Sequence, residues 1–214
     1  MSGLLILVPT EFERQKLVPL LRACSFLAAC PVEVCGFGPI LAGIQTTRLL
    51  NRFQPAKALL LGIAGTYGKT LEVGTAHEFS EVACYGVGAG SGSEFQTAEQ
   101  LGWSRWLQLE TRSGELLTFR DRESVGTQSG SLLLTCCAAS SSLADVQDRL
   151  RLFPEAEAED MEAYAVAASC RLANIPLRVV RGISNVAGNR EKSRWQVDAA
   201  LKAVAELVKA GEFV

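Results

Sequence analysis

A three-layer α/β domain, with helices on both faces of a mixed, largely parallel sheet, is the fold class that this 214-residue chain predicts. Short, uniformly apolar runs recur along it. Leu4 to Val8 and Ala58 to Leu61 read as strands covered on both faces, and Leu177 to Ile183, with Arg178 and Arg181 among its apolar residues, as a further buried strand. Segments with apolar residues at helical spacing alternate with these runs, the pattern of strands joined by crossover helices. The 48% hydrophobic content suffices for one sizeable core, and no linker-like shift in composition divides the chain, so one domain is expected over residues 1–214.

Taken in order, Leu4 to Val8 is a buried strand, and Thr10 opens a helix that carries Leu17, Leu20 and Leu21 on one face. Val32 to Cys35 is a second strand. After Gly36-Phe37-Gly38-Pro39 a helix runs from Ile40 to Asn51 and stops before Pro55. Ala58 to Leu61 is the third strand and leads into an expected loop, Gly62 to Gly68. Alternation resumes from Ala76 to Val82. From Cys84 to Gly130 the pattern dissolves into Gly, Ser and polar residues around Trp103 and Trp106, a loop-rich stretch. Leu132 to Thr135 is a strand and Leu143 to Leu150 a helix. Met161 to Leu172 places Ala163, Val166, Ala167 and Cys170 on one helical stripe. Pro176 precedes the strand Leu177 to Ile183, and a last helix uses Val197, Leu201, Val204 and Val208.

Composition narrows the partners. A net charge of −2, with no run of basic residues, gives nucleic acid or an anionic membrane no electrostatic hold. The longest apolar runs fall far short of the ~20 residues that span a bilayer, and no secretory signal pattern opens the sequence, so a cytoplasmic location is expected. Seven cysteines form no C-x-x-C pair, and the single histidine, His77, has no cysteine at metal-ligand spacing. Free thiols packed as small apolar residues, and a His77 with a structural role in a strand, are the expected outcome. No metal and no organic cofactor is indicated, which leaves a small molecule as the partner.

Two glycine patterns fail on inspection. Gly36-x-Gly38-x-x-Leu41 lacks the third glycine of a dinucleotide fingerprint. Ile63-x-x-x-x-Gly68-Lys69-Thr70 has isoleucine where a phosphate-binding loop needs its first glycine to turn the chain. More informative are residues near the carboxyl ends of strands, where ligands gather in such sheets. Glu13, Gly65, Glu162 and Asn185 are all expected just after a strand. Each also has a plain alternative. Thr10-Glu11-Phe12-Glu13 is a T-x-x-E capping box, a first-turn Glu162 suits the helix dipole, and Asn185 suits a turn. Together they offer two carboxylates and an amide, a set suited to gripping a nucleoside: Glu162 on ribose hydroxyls, Asn185 on the edge of the base.

Five segments carry a resemblance to the purine nucleosidase and phosphorylase superfamily, and within it to the 5′-methylthioadenosine/S-adenosylhomocysteine nucleosidases. They are Leu4 to Leu17 with its T-E-F-E, Gly36-Phe37-Gly38-Pro39 with Gln45-Thr46-Thr47, Gly62-Ile63-Ala64-Gly65 through Leu71-Glu72-Val73-Gly74, Met161-Glu162-Ala163, and Arg181-Gly182-Ile183-Ser184-Asn185. The resemblance implies a nucleoside phosphorylase-like fold and a homo-oligomer. It matches the family's water-activating carboxylate to Glu13, its ribose-gripping pair to Met161 and Glu162, and its base-reading pair to Ser184 and Asn185. Ala64 and Gly65 would line the base through their backbone amides. The departure is Asn185, where the adenine-cleaving members have an aspartic acid. An asparagine NH2 donates to a 6-oxo group and its carbonyl accepts from a protonated N7. A 6-oxopurine nucleoside is therefore the implied substrate.

Hydrolysis of the N-ribosidic bond is the implied reaction, with Glu13 activating water and Asn185 stabilising the departing base. An adenine-specific nucleosidase and a phosphorolytic enzyme are the alternatives. The latter would need several fixed donors for phosphate, and Arg48 and Arg181 are the only nearby candidates. A catalytically silent nucleoside-binding module would keep Glu162 and Asn185 but have no need of Glu13.

Overall fold

The computed structural model describes residues 3–103, 116–118 and 131–211. The chain begins with β1 (Leu4–Val8), α1 (Glu11–Arg22), the short α2 (Ser25–Ala28), β2 (Val32–Val34) and α3 (Pro39–Phe53). Next come β3 (Lys57–Thr66), β4 (Ala76–Phe79), β5 (Glu81–Tyr85), β6 (Gly88–Ala89), β7 (Gln96–Thr97) and β8 (Leu116–Thr118). The last part holds β9 (Leu132–Cys136), α4 (Leu143–Leu152), β10 (Ala156–Asp160), α5 (Ala163–Leu172), β11 (Leu177–Val186) and α6 (Val197–Ala210). Parts of the expected loop-rich stretch, Trp106 among them, lie outside the described residues.

The sheet is mixed and mostly parallel, as expected. Its path runs β2-β1-β3-β10-β9-β5-β8, and β11 pairs β3 and β4. β1 pairs β2 and β3 in parallel, as β11 pairs β3 and β9 pairs β10 and β5; the contacts β10–β3, β11–β4 and β5–β8 are antiparallel. Uniform burial of Leu4 to Val8 and of Leu132 to Cys136 follows from cover on both faces. On one side α3 and α5 close a core that includes Leu5, Leu7, Leu60, Val166, Val179 and Ile183. On the other, α1 and α6 cover Ile6, Leu59, Leu61 and Val180. A smaller cluster around Leu134 and Cys136 lies beneath α4.

The centre of the molecule is β3. Its first half, Lys57 to Leu60, bonds to β1, while β11 runs along its other edge from Ala58 to Thr66. Only at Gly65 and Thr66 does β10 take up the edge that β1 has left. Between them a short interval of β3 has no strand on that side.

Several expectations need correction. Gly62 to Thr66 is strand rather than loop, and β11 continues past Ile183 to Val186. Gly65 and Asn185 therefore lie inside strands, not after them. Alternation at Ala76 to Val82 resolves into two strands broken at Ser80. α5 begins at Ala163, so Met161 and Glu162 precede the helix. β10 was not foreseen, because Ala-Glu-Ala-Glu-Asp is poor strand sequence by propensity. It forms because its acidic side chains find partners: Ser131 donates to Glu157 at 2.6 Å and Arg149 to Glu159 at 2.6 Å.

β11 lies close against α6. A Cβ added at Gly182 would stand 2.6 Å from the Ala200 backbone carbonyl carbon, which cannot retreat without moving the helix. Gly182→Ala is expected to cost on the order of 1–3 kcal/mol, or more if α6 must shift. Urea denaturation checks this, and a loss below about 0.5 kcal/mol would contradict the packing described.

Candidate active site

The interval of β3 with no strand beside it is where the charged groups meet. Thr10 caps α1, its hydroxyl oxygen accepting from the Glu13 amide at 3.2 Å. The same hydroxyl donates to Glu13 Oε2 at 2.5 Å, and Glu13 Oε1 accepts the Ile63 N–H at 3.1 Å. Both readings of Glu13 hold at once: it belongs to a helix cap, and its carboxylate occupies the place of a missing strand. It is 4% exposed.

Arg181, in β11, is fully buried. Its Nη2 donates to Asp160 Oδ2 at 2.5 Å and stands 3.6 Å from Glu162 Oε2. Gly62 is its neighbour on β3. A Cβ at Gly62 would overlap Arg181 Nη1 and stand 2.9 Å from Glu13 Oε1, so the two side chains converge over a residue that must be glycine. Arg181 Nη1 and Nε have no hydrogen-bond partner among the described residues.

Asp160 ends β10 and was missed by the sequence reasoning together with that strand. It is tied down by Thr135, whose hydroxyl donates to Oδ1 at 2.6 Å, and by the Ala163 N–H at the start of α5, 2.9 Å from Oδ2. Glu162 is the cap residue of α5 but makes no side-chain cap bond. Its Oε1 instead accepts the Gly38 N–H at 3.0 Å, presented by a glycine at φ 79° where side chains are rarely tolerated. Met161 beside it is half-buried. By sequence Arg181 stands out only as a candidate phosphate ligand. The available signal was an arginine inside the apolar strand Leu177 to Ile183, a position that requires buried partners.

Three buried carboxylates thus share one guanidinium. Burial raises the Glu13 carboxyl above its ordinary value, against the pull of the Thr10 hydroxyl and of Arg181. Burial, then the charge of Asp160, pushes Glu162 up to about 7. Burial alone would lower Arg181, but Asp160, Glu162 and Glu13 hold its proton more firmly than usual. Burial also pushes the nearby Cys35 thiol up to about 12, which keeps it neutral.

Ser184, Asn185, Ala64 and Gly65 form the adjoining wall. Asn185 pairs with Gly65 across β11 and β3, and a Cβ at Gly65 would meet Asn185 Nδ2 at 3.2 Å. Ser184 is buried and its hydroxyl lies 2.8 Å from Asn185 Oδ1 and 3.2 Å from the Ala64 carbonyl oxygen. Asn185 Nδ2 donates to the Val186 carbonyl at 3.0 Å. Ala64, Gly65, Ser184 and Asn185 therefore follow Gly62 and Arg181 along the same two paired strands. His77 stands apart in β4. Its ring meets Phe79 edge-on at 4.9 Å and burial lowers its pKa, in keeping with a structural role. Among the described residues no cluster of His, Cys, Asp and Glu suits a metal ion, and no helix is long and apolar enough to cross a membrane.

The chain is similar to known proteins in sequence and in fold. Residues 129–210 match the Phosphorylase superfamily. A 5′-methylthioadenosine/S-adenosylhomocysteine nucleosidase of Staphylococcus haemolyticus is 28% identical over 185 residues, spanning 82% of this chain and 77% of the relative. One from Chromohalobacter salexigens is 29% identical over 180 residues, 82% and 75% of the two chains. Among solved structures, the Neisseria meningitidis 5′-methylthioadenosine/S-adenosylhomocysteine nucleosidase in complex with methylthio-immucillin-A superposes with a TM-score of 0.70 at 21% identity, covering 97% of this chain and 99% of that one. Futalosine hydrolase of Helicobacter pylori superposes with a TM-score of 0.72 at 15% identity, covering 96% and 95%. These structural likenesses establish the shared fold. In sequence the chain is similar to the Phosphorylase superfamily over residues 129–210 and to 5′-methylthioadenosine/S-adenosylhomocysteine nucleosidases at 28–29% identity.

The Glu162 shift has a consequence for stability. A carboxyl with an ordinary value of 4.5 that rises to about 7 on folding holds its proton more tightly in the folded chain. Folding stability then falls as pH rises between those two values, and the loss is complete above them. Glu162→Gln is expected to flatten this slope and to stabilise the ligand-free protein at pH 8 by roughly 1–3 kcal/mol. Denaturation midpoints at pH 5 and pH 8 check it; an equal slope in both proteins would contradict the assignment.

Proposed function

We propose that the protein hydrolyses the N-ribosidic bond of a purine nucleoside and that its base is a 6-oxopurine. The substrate we infer is futalosine, cleaved to hypoxanthine and dehypoxanthine futalosine in menaquinone biosynthesis. The observation that carries the reaction class is the meeting of Glu13 and Arg181 over Gly62, beside Glu162. Glu13, desolvated and raised in pKa, suits a general base that takes a proton from water. Arg181 Nη1, with no partner of its own, offers that water a donor next to Glu13 Oε1. Glu162 accepts from the ribose hydroxyls, and the buried negative charge favours the positive character that develops on the sugar as the bond to the base breaks. Met161 packs against the sugar.

Base choice rests on Asn185. A carboxamide donates to O6 and accepts from N7–H, the pattern of hypoxanthine and guanine. Cleavage of 5′-methylthioadenosine or S-adenosylhomocysteine is the second reading, supported by the names of the relatives at 27–29% identity. Phosphorolysis is disfavoured because the buried guanidinium is already committed to carboxylates, which would repel phosphate. A silent binding module has no use for a buried, proton-hungry Glu13.

A panel of 6-oxo and 6-amino nucleosides, including futalosine, inosine and 5′-methylthioadenosine, assayed with and without phosphate, tests this reading. Turnover of futalosine with equal rates in both buffers supports it. Preference for the adenine nucleosides, or a requirement for phosphate, overturns it. Asn185→Asp is expected to shift selectivity toward 6-amino bases by roughly ten- to a hundredfold.

A homo-oligomer is part of the same reading. Phe12, Phe37, Ile40, Leu41 and Ile44 are 56–76% exposed around the start of α3, where the Gly36 amide bonds to the Pro9 carbonyl at the rim of the site. An apolar patch of this kind suits a second copy of the chain. Sedimentation equilibrium should give at least a dimer, and a monomer at micromolar concentration would contradict it.

A further inference from the structure

We propose that Thr10 is a positioning residue for the reacting carboxylate: its hydroxyl pins Glu13 Oε2 and so turns Oε1 toward Arg181 Nη1, making Oε1 the oxygen that takes the proton from water. The inference rests on the reading of Glu13 as the base, and it goes beyond it by naming the group that decides which of its oxygens acts.

The same capping motif occurs at two helix starts, and the two copies differ. At α4 the Ser142 hydroxyl oxygen accepts the Asp145 amide at 3.2 Å, and the Asp145 carboxylate returns to the Ser142 N–H at 3.0 Å. That exchange satisfies two amides of the helix start and is complete as a cap. At α1 the Thr10 hydroxyl oxygen accepts the Glu13 amide at 3.2 Å in the same way. Glutamate is one methylene longer, and its carboxylate is turned over β3, where Oε1 accepts the Ile63 N–H at 3.1 Å. Capping accounts for the lone pair that Thr10 supplies. It does not account for the Thr10 proton, which goes to Glu13 Oε2 at 2.5 Å.

Thr10 is anchored for this task. The Pro9 carbonyl before it accepts the Gly36 N–H at 3.1 Å, and its own carbonyl accepts the Arg14 N–H at 3.0 Å. A hydroxyl has one proton, and with its oxygen already accepting from the Glu13 amide that proton has Oε2 as its partner. Hydrogen bonds to an ionised group are the strong ones, so the bond fixes the carboxylate as well as charging it. Oε1 then stands 2.9 Å from where a Cβ of Gly62 would be, beside an Arg181 Nη1 that has no partner among the described residues. The Ile63 amide takes one of its two lone pairs and leaves the other for water.

Burial raises the Glu13 carboxyl, and against burial the Thr10 hydroxyl pulls hardest, ahead of the Arg181 charge and the backbone amides of Ile63 and Thr10. Arg181 from β11, Glu162 from the turn before α5 and the Cys35 thiol after β2 also face this carboxylate, and Asp160 acts on it through Arg181. Glu162 is itself raised, so the acid limb of a pH profile belongs to the pair, and its displacement between variants is the quantity to read. Removing the Thr10 donor raises Glu13 further. A base acts only when unprotonated, so the limb must move to higher pH.

The test is the pH dependence of kcat and KM, for the nucleoside of the panel above that turns over fastest, in wild type, Thr10→Val and Thr10→Ser. Valine keeps the shape and loses the proton, and serine keeps the proton. Thr10→Val is expected to move the acid limb of kcat up by roughly one pH unit, with a loss of roughly tenfold at the acid end and KM unchanged. Thr10→Ser is expected to leave the limb in place. Loss of the cap alone lowers stability without moving the limb, so a folded valine variant with the wild-type limb overturns the proposal. A serine variant that shifts as far as valine does the same. Should the valine variant not fold, Thr10→Gly decides, because glycine caps a helix nearly as well as threonine: an upward shift supports the proposal and an unmoved limb overturns it. A wild type that cleaves no purine nucleoside, or a fully active Glu13→Gln, overturns the reading of Glu13 and the role of Thr10 together. An unmoved limb beside an inactive Glu13→Gln overturns the role of Thr10 and leaves the proposed function standing.

Discussion

A guanidinium with no contact with solvent, placed among three carboxylates, is the interaction on which the rest of this structure depends. Arg181 bonds to Asp160 at 2.5 Å and stands within 3.6 Å of Glu162. Removing such a cation would leave buried carboxylates unpaired, a change that costs several kcal/mol. The cluster is also unbalanced, with more acid than base. Burial raises the proton affinity of Glu13 and, together with the charge of Asp160, that of Glu162, the condition a general base needs in order to act near neutral pH. Stability and reactivity are thus set by the same charges.

A break in the pairing of the sheet makes room for this cluster. β3 is bonded to β1 through Leu60 and to β10 from Gly65, and the amide of Ile63 between them turns to Glu13 instead of a strand. Gly62 and Gly65 lie on either side of that amide. The first leaves room for Arg181 and Glu13, the second for Asn185. The three acids reach the region from α1, from the end of β10 and from the turn before α5, so the site exists only when both halves of the sheet have closed around β3.

Much of this was legible in the sequence. Apolar runs at Leu4 to Val8 and Leu132 to Thr135 read as strands, and apolar residues at helical spacing marked α1, α5 and α6. Glu13, Glu162 and Asn185 stood out as candidates because ligands gather at the carboxyl ends of strands in such sheets. β10 escaped notice because Ala156 to Asp160 forms a strand against its propensity, through partners remote in sequence. Asp160 and Glu159 escaped with it. The reach of β3 to Thr66 was hidden by glycines that read as a loop. They are there for close approach: Gly62 admits the Arg181 guanidinium, a contact no local pattern encodes.

The most direct measurement of the central claim is base release from futalosine by the wild-type protein and by Glu13→Gln, in phosphate-free buffer, alongside hypoxanthine binding to both. The account predicts turnover by the wild type, loss of at least a thousandfold in the variant, roughly the scale of removing a general base, and unchanged binding of hypoxanthine. Turnover that survives the substitution would show that the buried cluster around Arg181 does not activate the attacking water.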